Sequence, residues 1–368
     1  MEKVFKIASK PKTYIDVIKI LAIIMVLFNH CSAFTMYTET MEQPWHWLMI
    51  SHSAIIKMAV PLFYMSSGAL LLKKEEKYSY LLLHRVLYFC IVLVAASAVI
   101  YVYDFRKDPA FSLTDFLSKL YTNKISVPLW YIYSYISYLL MLPFIRKLAK
   151  LMSFKDYVWL LIGFEIMELL SVADYALFRG TQYHASDFAF FTAKNNVLFP
   201  LLGYYIDSGL KKEKLNVDRL FVMVAMSILL LGLTCVLQDW RFKMDGMWTN
   251  NNAQSWIAVF VPIYAITVFY GIRMMFLKFN NIGRLAKILS VIGSCIIGVY
   301  LFGGIWRSVS YPVYQVTQTF LGKYFATYPW IISALLIGLG CTFVWKCFVG
   351  FIKVLIQKIK LRFLKKDA

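Results

Sequence analysis

The chain has 368 residues and a formal net charge of +19; 60% of its residues are hydrophobic, 17% aromatic and only 16% charged, with a mean hydropathy of +0.62. That is more apolar surface than a soluble domain of this length needs, and it indicates an all-α polytopic membrane protein. The charge does not mark a nucleic-acid-binding module, because Lys and Arg sit in short clusters between apolar stretches; the six cysteines lie in or beside those stretches without a CxxC pair, which argues against a metal site or a disulfide framework.

The N-terminus carries Lys3, Lys6, Lys10 and Lys12 before an apolar run that ends near Cys31-Ser32-Ala33. This loosely fits a cleaved leader, but the polar residues at both ends of the run favour an anchor that stays in place. A bilayer crossing takes about 20 mostly apolar residues. Ten segments qualify: 14–34, 47–72, 80–103, 127–145, 157–173, 195–207, 220–237, 255–277, 288–306 and 330–349. The sixth is short, and the aromatic 174–194 stretch before it is a candidate re-entrant segment. Alternate connections carry 26 Lys and Arg on one side and ten on the other, with 307–329 counted among the far-side connections. The asymmetry puts both termini in the cytoplasm.

Residues 1–349 read as a single transmembrane domain around a central cavity. The ending FIKVLIQKIKLRFLKK reads as a basic amphipathic cytoplasmic tail over 350–368, lying on anionic lipid, or as a plain extension of the last span. No internal repeat is visible. The oligomeric state is open, a homodimer included.

The first span, KILAIIMVLFNH over 19–30, has a lysine at one end and a histidine at the other. Ionisable residues in a span cost on the order of 2.5–3.5 kcal/mol for Lys at mid-helix, and they persist mainly where they face a cavity. Eleven residues of α-helix turn through about 1100°, returning to within about 20° of the same face, and rise ~16 Å. Asp16, three residues before Lys19, lies on that stripe within ion-pair reach. Helix one therefore presents Asp16 and Lys19 near one end and His30 near the other. Lys19 snorkelling to headgroups with His30 at the opposite interface is the plain alternative; histidine is also the side chain best suited to moving a proton near neutral pH. The second span, HSAIIKMAVPLFYMSSGALLL over 52–72, carries Lys57 mid-segment, Pro61 as a helix breaker, and Ser66-Ser67-Gly68 as a small face for close helix contact.

These stretches resemble the acyltransferase-3 family of multi-spanning membrane acyltransferases, of the surface-polysaccharide-modifying type. YIDVIKILAIIMVLFNH is similar to its first helix, with a basic residue and then the catalytic histidine. VPLFYMSSGALLL resembles its second-helix signature, LWYIYSYISYLLMLPFIRKL (129–148) its Leu-Trp-Tyr helix, FPLLGYYI (199–206) a Gly-Tyr-Tyr stretch, and IGSCIIGVYL (292–301) its late Gly-Ser…Tyr-Leu helix. Lys19 and Lys57 stand where arginine is usual, which keeps the charge but loses the planar fork. Gly303 and Pro128 stand where many members have histidine.

The resemblance implies transfer of an acyl group, most often acetyl, from cytoplasmic acyl-CoA to a hydroxyl of an extracytoplasmic or lipid-linked glycan. Acyl-CoA would be a co-substrate, with no permanently bound cofactor. The implied setting is the plasma membrane of a bacterium, with membrane lipids, acyl-CoA and the glycan acceptor as partners and no nucleic acid. His30 would be the general base, or in a second version a covalent acyl carrier. Lys19, Asp16, Lys57, Arg85, Ser66, Trp130, Tyr131 and Glu165 form the expected donor- and substrate-binding set: Lys19 and Arg85 toward the phosphates and arm of the donor, Ser66 or Asn29 toward His30, Trp130 and Tyr131 in the cavity wall. Glu165 and Glu168 would pair with Lys57, bind sugar hydroxyls or form a structural ion pair. A glycan exporter without acyl transfer is the competing class, and an inactive scaffold a third. The acceptor (cell-wall sugar, secreted polysaccharide, lipid-linked oligosaccharide or antibiotic) and the acyl group, acetyl or succinyl, stay open.

Overall fold

The computed structural model describes residues 12–36, 45–178, 195–210, 215–245, 258–278 and 283–364, and among these there is no β-strand. The helices are α1 (Thr13–Met36), α2 (His46–Ile56), α3 (Ala59–Leu71), α4 (Tyr78–Leu81), α5 (Leu87–Phe105), α6 (Leu113–Tyr121), α7 (Trp130–Leu151), α8 (Phe154–Phe178), α9 (Leu198–Tyr204), α10 (Val217–Asp245), α11 (Val261–Lys278), α12 (Gly283–Leu301), α13 (Gly303–Phe325) and α14 (Thr327–Leu364). Among the described residues, eight stretches are long and apolar enough to cross a membrane: Thr13–Cys31, His46–Leu71, Tyr78–Phe105, Val127–Leu151, Val217–Met244, Val261–Lys278, Gly283–Leu301 and Thr327–Val349. The protein is an all-α polytopic membrane protein.

The other two expected spans are also helical. Segment 157–173 is the core of the 25-residue α8, which carries Lys155, Asp156, Glu165, Glu168 and Asp174. Segment 195–207 is the seven-residue α9 and the π turn that follows it. Two expectations are corrected. Segment 288–306 is not one rod: Phe302 leaves helical geometry (φ −107°, ψ 20°) and separates α12 from α13. The 307–329 stretch, expected as a connection between spans, is helical over most of its length, within α13 (Gly303–Phe325). Its Arg, Ser, Gln and Thr residues lower its hydropathy, yet the Ser and Thr hydroxyls bond back to carbonyls of their own helix, as from Ser310 to Trp306 and from Thr317 to Val313. Most of the proposed re-entrant stretch, 179–194, lies outside the described residues. Of the expected tail, the described part runs to Leu364 as a continuation of α14.

Helix α1 is the centre of the bundle, packing against α3, α11, α12 and α14. Ile15, Ile18, Ala22, Val26 and Leu27 recur at helical spacing and are all buried. The sharpest helix contact joins α3 to α9. A Cβ on Gly68 would stand 1.9 Å from the Pro200 carbonyl oxygen, and one on Gly203 would stand 2.0 Å from that of Met65. Only glycine permits this mutual approach of two backbones.

The second span breaks where its sequence requires. Pro61 has no N–H to donate to the Lys57 carbonyl, so α2 stops at Ile56 and α3 starts at Ala59. The ladder is re-satisfied on either side by Met58 N–H to Ile55 (3.1 Å) and Leu62 N–H to Met58 (2.9 Å). Two π turns, Leu82–Val86 and Tyr205–Gly209, place Arg85 and Asp207. Lys12 (2.5 Å) and Tyr14 both donate to the Asp207 carboxylate and fasten the start of α1 to the second of these turns.

Candidate active site

Helix α1 serves two cavities. The first, about 280 Å³, is lined by Lys19, Ser66, Arg85, Tyr131, Tyr135 and Tyr300 among others. The second, about 460 Å³, is lined by His30, Asn29, Lys57, Trp130, Glu168 and again Tyr300 among others. The eleven-residue spacing thus puts Lys19 and His30 into different chambers along one helix.

At the Lys19 end, Lys19 Nζ donates to Asp16 Oδ1 at 3.3 Å. Asp16 lies against Gly293, whose missing side chain leaves it room. Arg85 is held by Glu76: Nε donates to Oε2 at 2.9 Å and Nη2 to Oε1. Arg146 donates to the same carboxylate at 2.7 Å and to the Leu71 carbonyl at 3.1 Å. The two guanidinium groups hold the Glu76 carboxyl well below its ordinary 4.5, at about 2, with the hydrogen bonds from Arg85 the largest cause. Ser66 is 2% exposed, and its Oγ has no protein partner among the described residues. The rest of the chamber is aromatic. Tyr131 stacks on Tyr135 at 5.7 Å, and Tyr64, beneath them, packs edge-on to Tyr131 at 5.2 Å.

At the His30 end, Lys57 leaves the α2–α3 break and donates to Asn29 Oδ1 at 2.9 Å. This answers the question of a lysine in mid-span: the broken backbone lines a polar cavity, where opened helix is tolerated. Arg307 on α13 donates from Nη1 to the backbone carbonyl of His30 at 2.9 Å, and Trp330 Nε1 donates to the Arg307 carbonyl at 2.9 Å. The C-terminal third of α1 is thereby tied to α13 and α14.

The expected residues therefore separate into groups. Lys19, Ser66, Arg85 and Tyr131 line the first chamber; His30, Lys57 and Trp130 line the second. Asp16 is not in either lining and pairs with Lys19 at 3.3 Å. Glu165 lines neither chamber and lies in the field of Tyr264, while Glu168, one turn along α8, is the carboxylate that reaches the second. Asn29 faces Lys57. Of the two positions where the resemblance places histidine, Pro128 offers its carbonyl to the Tyr300 hydroxyl. Gly303 opens α13, and a Cβ there would meet Leu27 at 3.5 Å. Sequence reasoning missed Arg307 and Tyr300. For Arg307 a signal existed, an arginine at the end of an apolar segment. Tyr300 had none beyond its place in the late Tyr-Leu pair.

The arrangement has two neighbouring chambers, with Lys19 and Arg85 in the first, Lys57 and the His30 imidazole in the second, and Tyr300 in the lining of both. It can hold a long substrate that enters at the Lys19 end beside a second one at the His30 end. Neither a curated protein nor a solved structure matches the chain. A family model does: the acyltransferase domain of the acyltransferase-3 family matches residues 12–347, nearly the whole chain. The chain belongs to that family and is a multi-pass membrane acyltransferase.

Proposed function

We propose that this protein moves an acyl group, acetyl in the simplest case, from cytoplasmic acyl-CoA to a hydroxyl of an extracytoplasmic or lipid-linked glycan. The observation that carries this reading is that α1 delivers Lys19 to one chamber and His30 to another, with Tyr300 in the lining of both.

The phosphate-bearing end of the donor stays at the basic Lys19 mouth, near Arg85, Lys73 and Lys74. Its flexible arm carries the thioester along α1, over the ~16 Å rise from Lys19 to His30. The acceptor hydroxyl enters the second chamber and gives its proton to the His30 imidazole as its oxygen bonds the thioester carbonyl carbon. The carbon–sulfur bond breaks, and the leaving thiolate takes a proton back from the imidazolium. The Lys57 ammonium, fixed by Asn29, is the cation that stabilises the oxyanion formed on the way. Arg307 holds the His30 backbone, so the imidazole starts from a fixed place.

The test is a reconstituted vesicle loaded with labelled acetyl-CoA and supplied with glycan acceptor outside. Wild-type protein should transfer label and consume thioester, and His30→Ala and His30→Gln should do neither while remaining folded. Transfer by either variant at the wild-type rate would overturn the role of His30. Passage of glycan with no thioester cleavage would replace the acyltransfer reading with that of an exporter.

A further inference from the structure

We infer that Tyr300 is a latched partition between the two chambers and that the donor's arm passes only when it swings. This rests on the reading above for its purpose, though the geometry stands on its own.

Three helices show the boundary. On α3, Pro61 lines the His30 chamber and Phe63 the Lys19 chamber. On α7, Trp130 lines the His30 chamber and its neighbour Tyr131 the Lys19 chamber. On α12, Ile296 and Ile297 face the Lys19 chamber, and Tyr300, one turn on, faces both. The two linings thus change over at one level, and among the described residues Tyr300 alone belongs to both. Its ring closes that level by edge contacts to Tyr131 (5.4 Å between centroids) and Phe63 (6.5 Å).

The closure has one polar fastening. Tyr300 donates its hydroxyl hydrogen to the Pro128 carbonyl, in the 3-10 turn Val127–Leu129 that leads into α7. The side chain is 7% exposed, and this hydroxyl makes its one hydrogen bond among the described residues. A rotation of Tyr300 about χ1 breaks one hydrogen bond and joins the chambers without moving a helix. A family member that shuttles a thioester across a bilayer needs such a partition. An open passage would let water reach the thioester and let ions cross.

The experiment uses the full chain in vesicles of both orientations, with one reporter cysteine in each chamber: Leu70→Cys for the Lys19 side and Val60→Cys for the His30 side, both cavity-lining positions. A charged, membrane-impermeant thiol reagent is added outside, and labelling of the reporter is read by peptide mass spectrometry. With Tyr300 present, each reporter should react from its own side only. Tyr300→Phe keeps the ring but loses the latch. Cross-side labelling should then rise about two- to tenfold, the value of one hydrogen bond. Tyr300→Ala removes the ring, and cross-side labelling should rise more than the Phe variant's. Unchanged own-side labelling shows that each variant is folded. Equal cross-side rates with Tyr, Phe and Ala at 300, or fast cross-side labelling with Tyr300 intact, would overturn the partition. Labelling needs no turnover, so a His30→Ala background must leave these rates alone whether or not the acyltransfer reading holds.

Discussion

Arg307 Nη1 stands 2.9 Å from the carbonyl oxygen of His30 and donates a hydrogen bond to it, joining residues 277 positions apart. The accepting carbonyl belongs to the proposed general base and lies inside α1, six residues before the helix ends at Met36. The guanidinium can use the second lone pair that a backbone carbonyl carries. It also pins the chain at the residue whose imidazole must meet the acceptor.

Arg307→Gln should therefore act on the chemical step. A hydrogen bond from a charged donor is worth about 1.5–3 kcal/mol; if roughly half of that serves to hold the imidazole in place, kcat falls about tenfold. The donor KM should not change, because Lys19 and Arg85 lie in the other chamber. Arg307→Lys should recover part of the rate. A loss confined to KM, or one that tracks loss of folded protein, would show that Arg307 only holds the bundle together.

The α3–α9 crossing makes a prediction about stability. Gly68→Ala places a methyl group 1.9 Å from a backbone oxygen, which no rotamer change relieves. The helices must separate, at about 3 kcal/mol on the scale of overpacked cores, and Gly203→Ala should do the same from the other side. Gly232→Ala is the control. Nothing stands within 4 Å of its Cβ, and helix propensity slightly favours alanine. Thermal unfolding in detergent should show a large drop for the first two and none for the third.

What the sequence disclosed and what it withheld divide along physical lines. Lys19 and His30 could be placed on one stripe because their relation is internal to a single helix, fixed by 3.6 residues per turn. The small face at Ser66–Gly68 and the break at Pro61 were legible for the same reason. Residues 307–329 were not, since a helix packed against another helix need not be apolar enough to look like a span. With 307–329 counted as a connection between spans, Arg307 could not be seen beside His30. Tyr300 was equally out of reach. Its role comes from standing where three helices meet, and that place is set by tertiary packing. Lys57 falls between these cases: its cost in a span was plain, and its partner Asn29 was visible only in three dimensions.

Glu76 offers a test by pH and by charge. Its carboxyl is lowered from 4.5 to about 2, so the ion pairs stabilise the fold fully above about pH 4.5, and that contribution is lost as pH falls from there toward 2. Part of the group meets solvent, which keeps the contribution small, about 1 kcal/mol. Glu76→Gln should remove that acid-sensitive component from the unfolding profile. It also releases Arg85 and Arg146 from their carboxylate. If Arg85 receives the donor's phosphates, acyl-CoA should bind more tightly to this variant in a direct titration. Weaker binding would mean that Glu76 is needed to aim Arg85.

The Lys57–Asn29 pair predicts a pattern of non-additivity. Lys57→Met removes the cation assigned to the oxyanion, and loss of one such group costs about 100-fold in kcat. Asn29→Leu leaves the ammonium in the chamber but without the partner that fixes it at 2.9 Å. Its cost should be smaller, about tenfold, because a mobile charge still visits the right place. If Asn29 acts only through Lys57, the double variant should be no slower than Lys57→Met alone. Single-turnover consumption of the thioester in the presence of acceptor measures the three rates without interference from product release. Additive losses would mean that Asn29 touches the substrate itself, since a residue that only positions another has nothing left to lose once that other is gone.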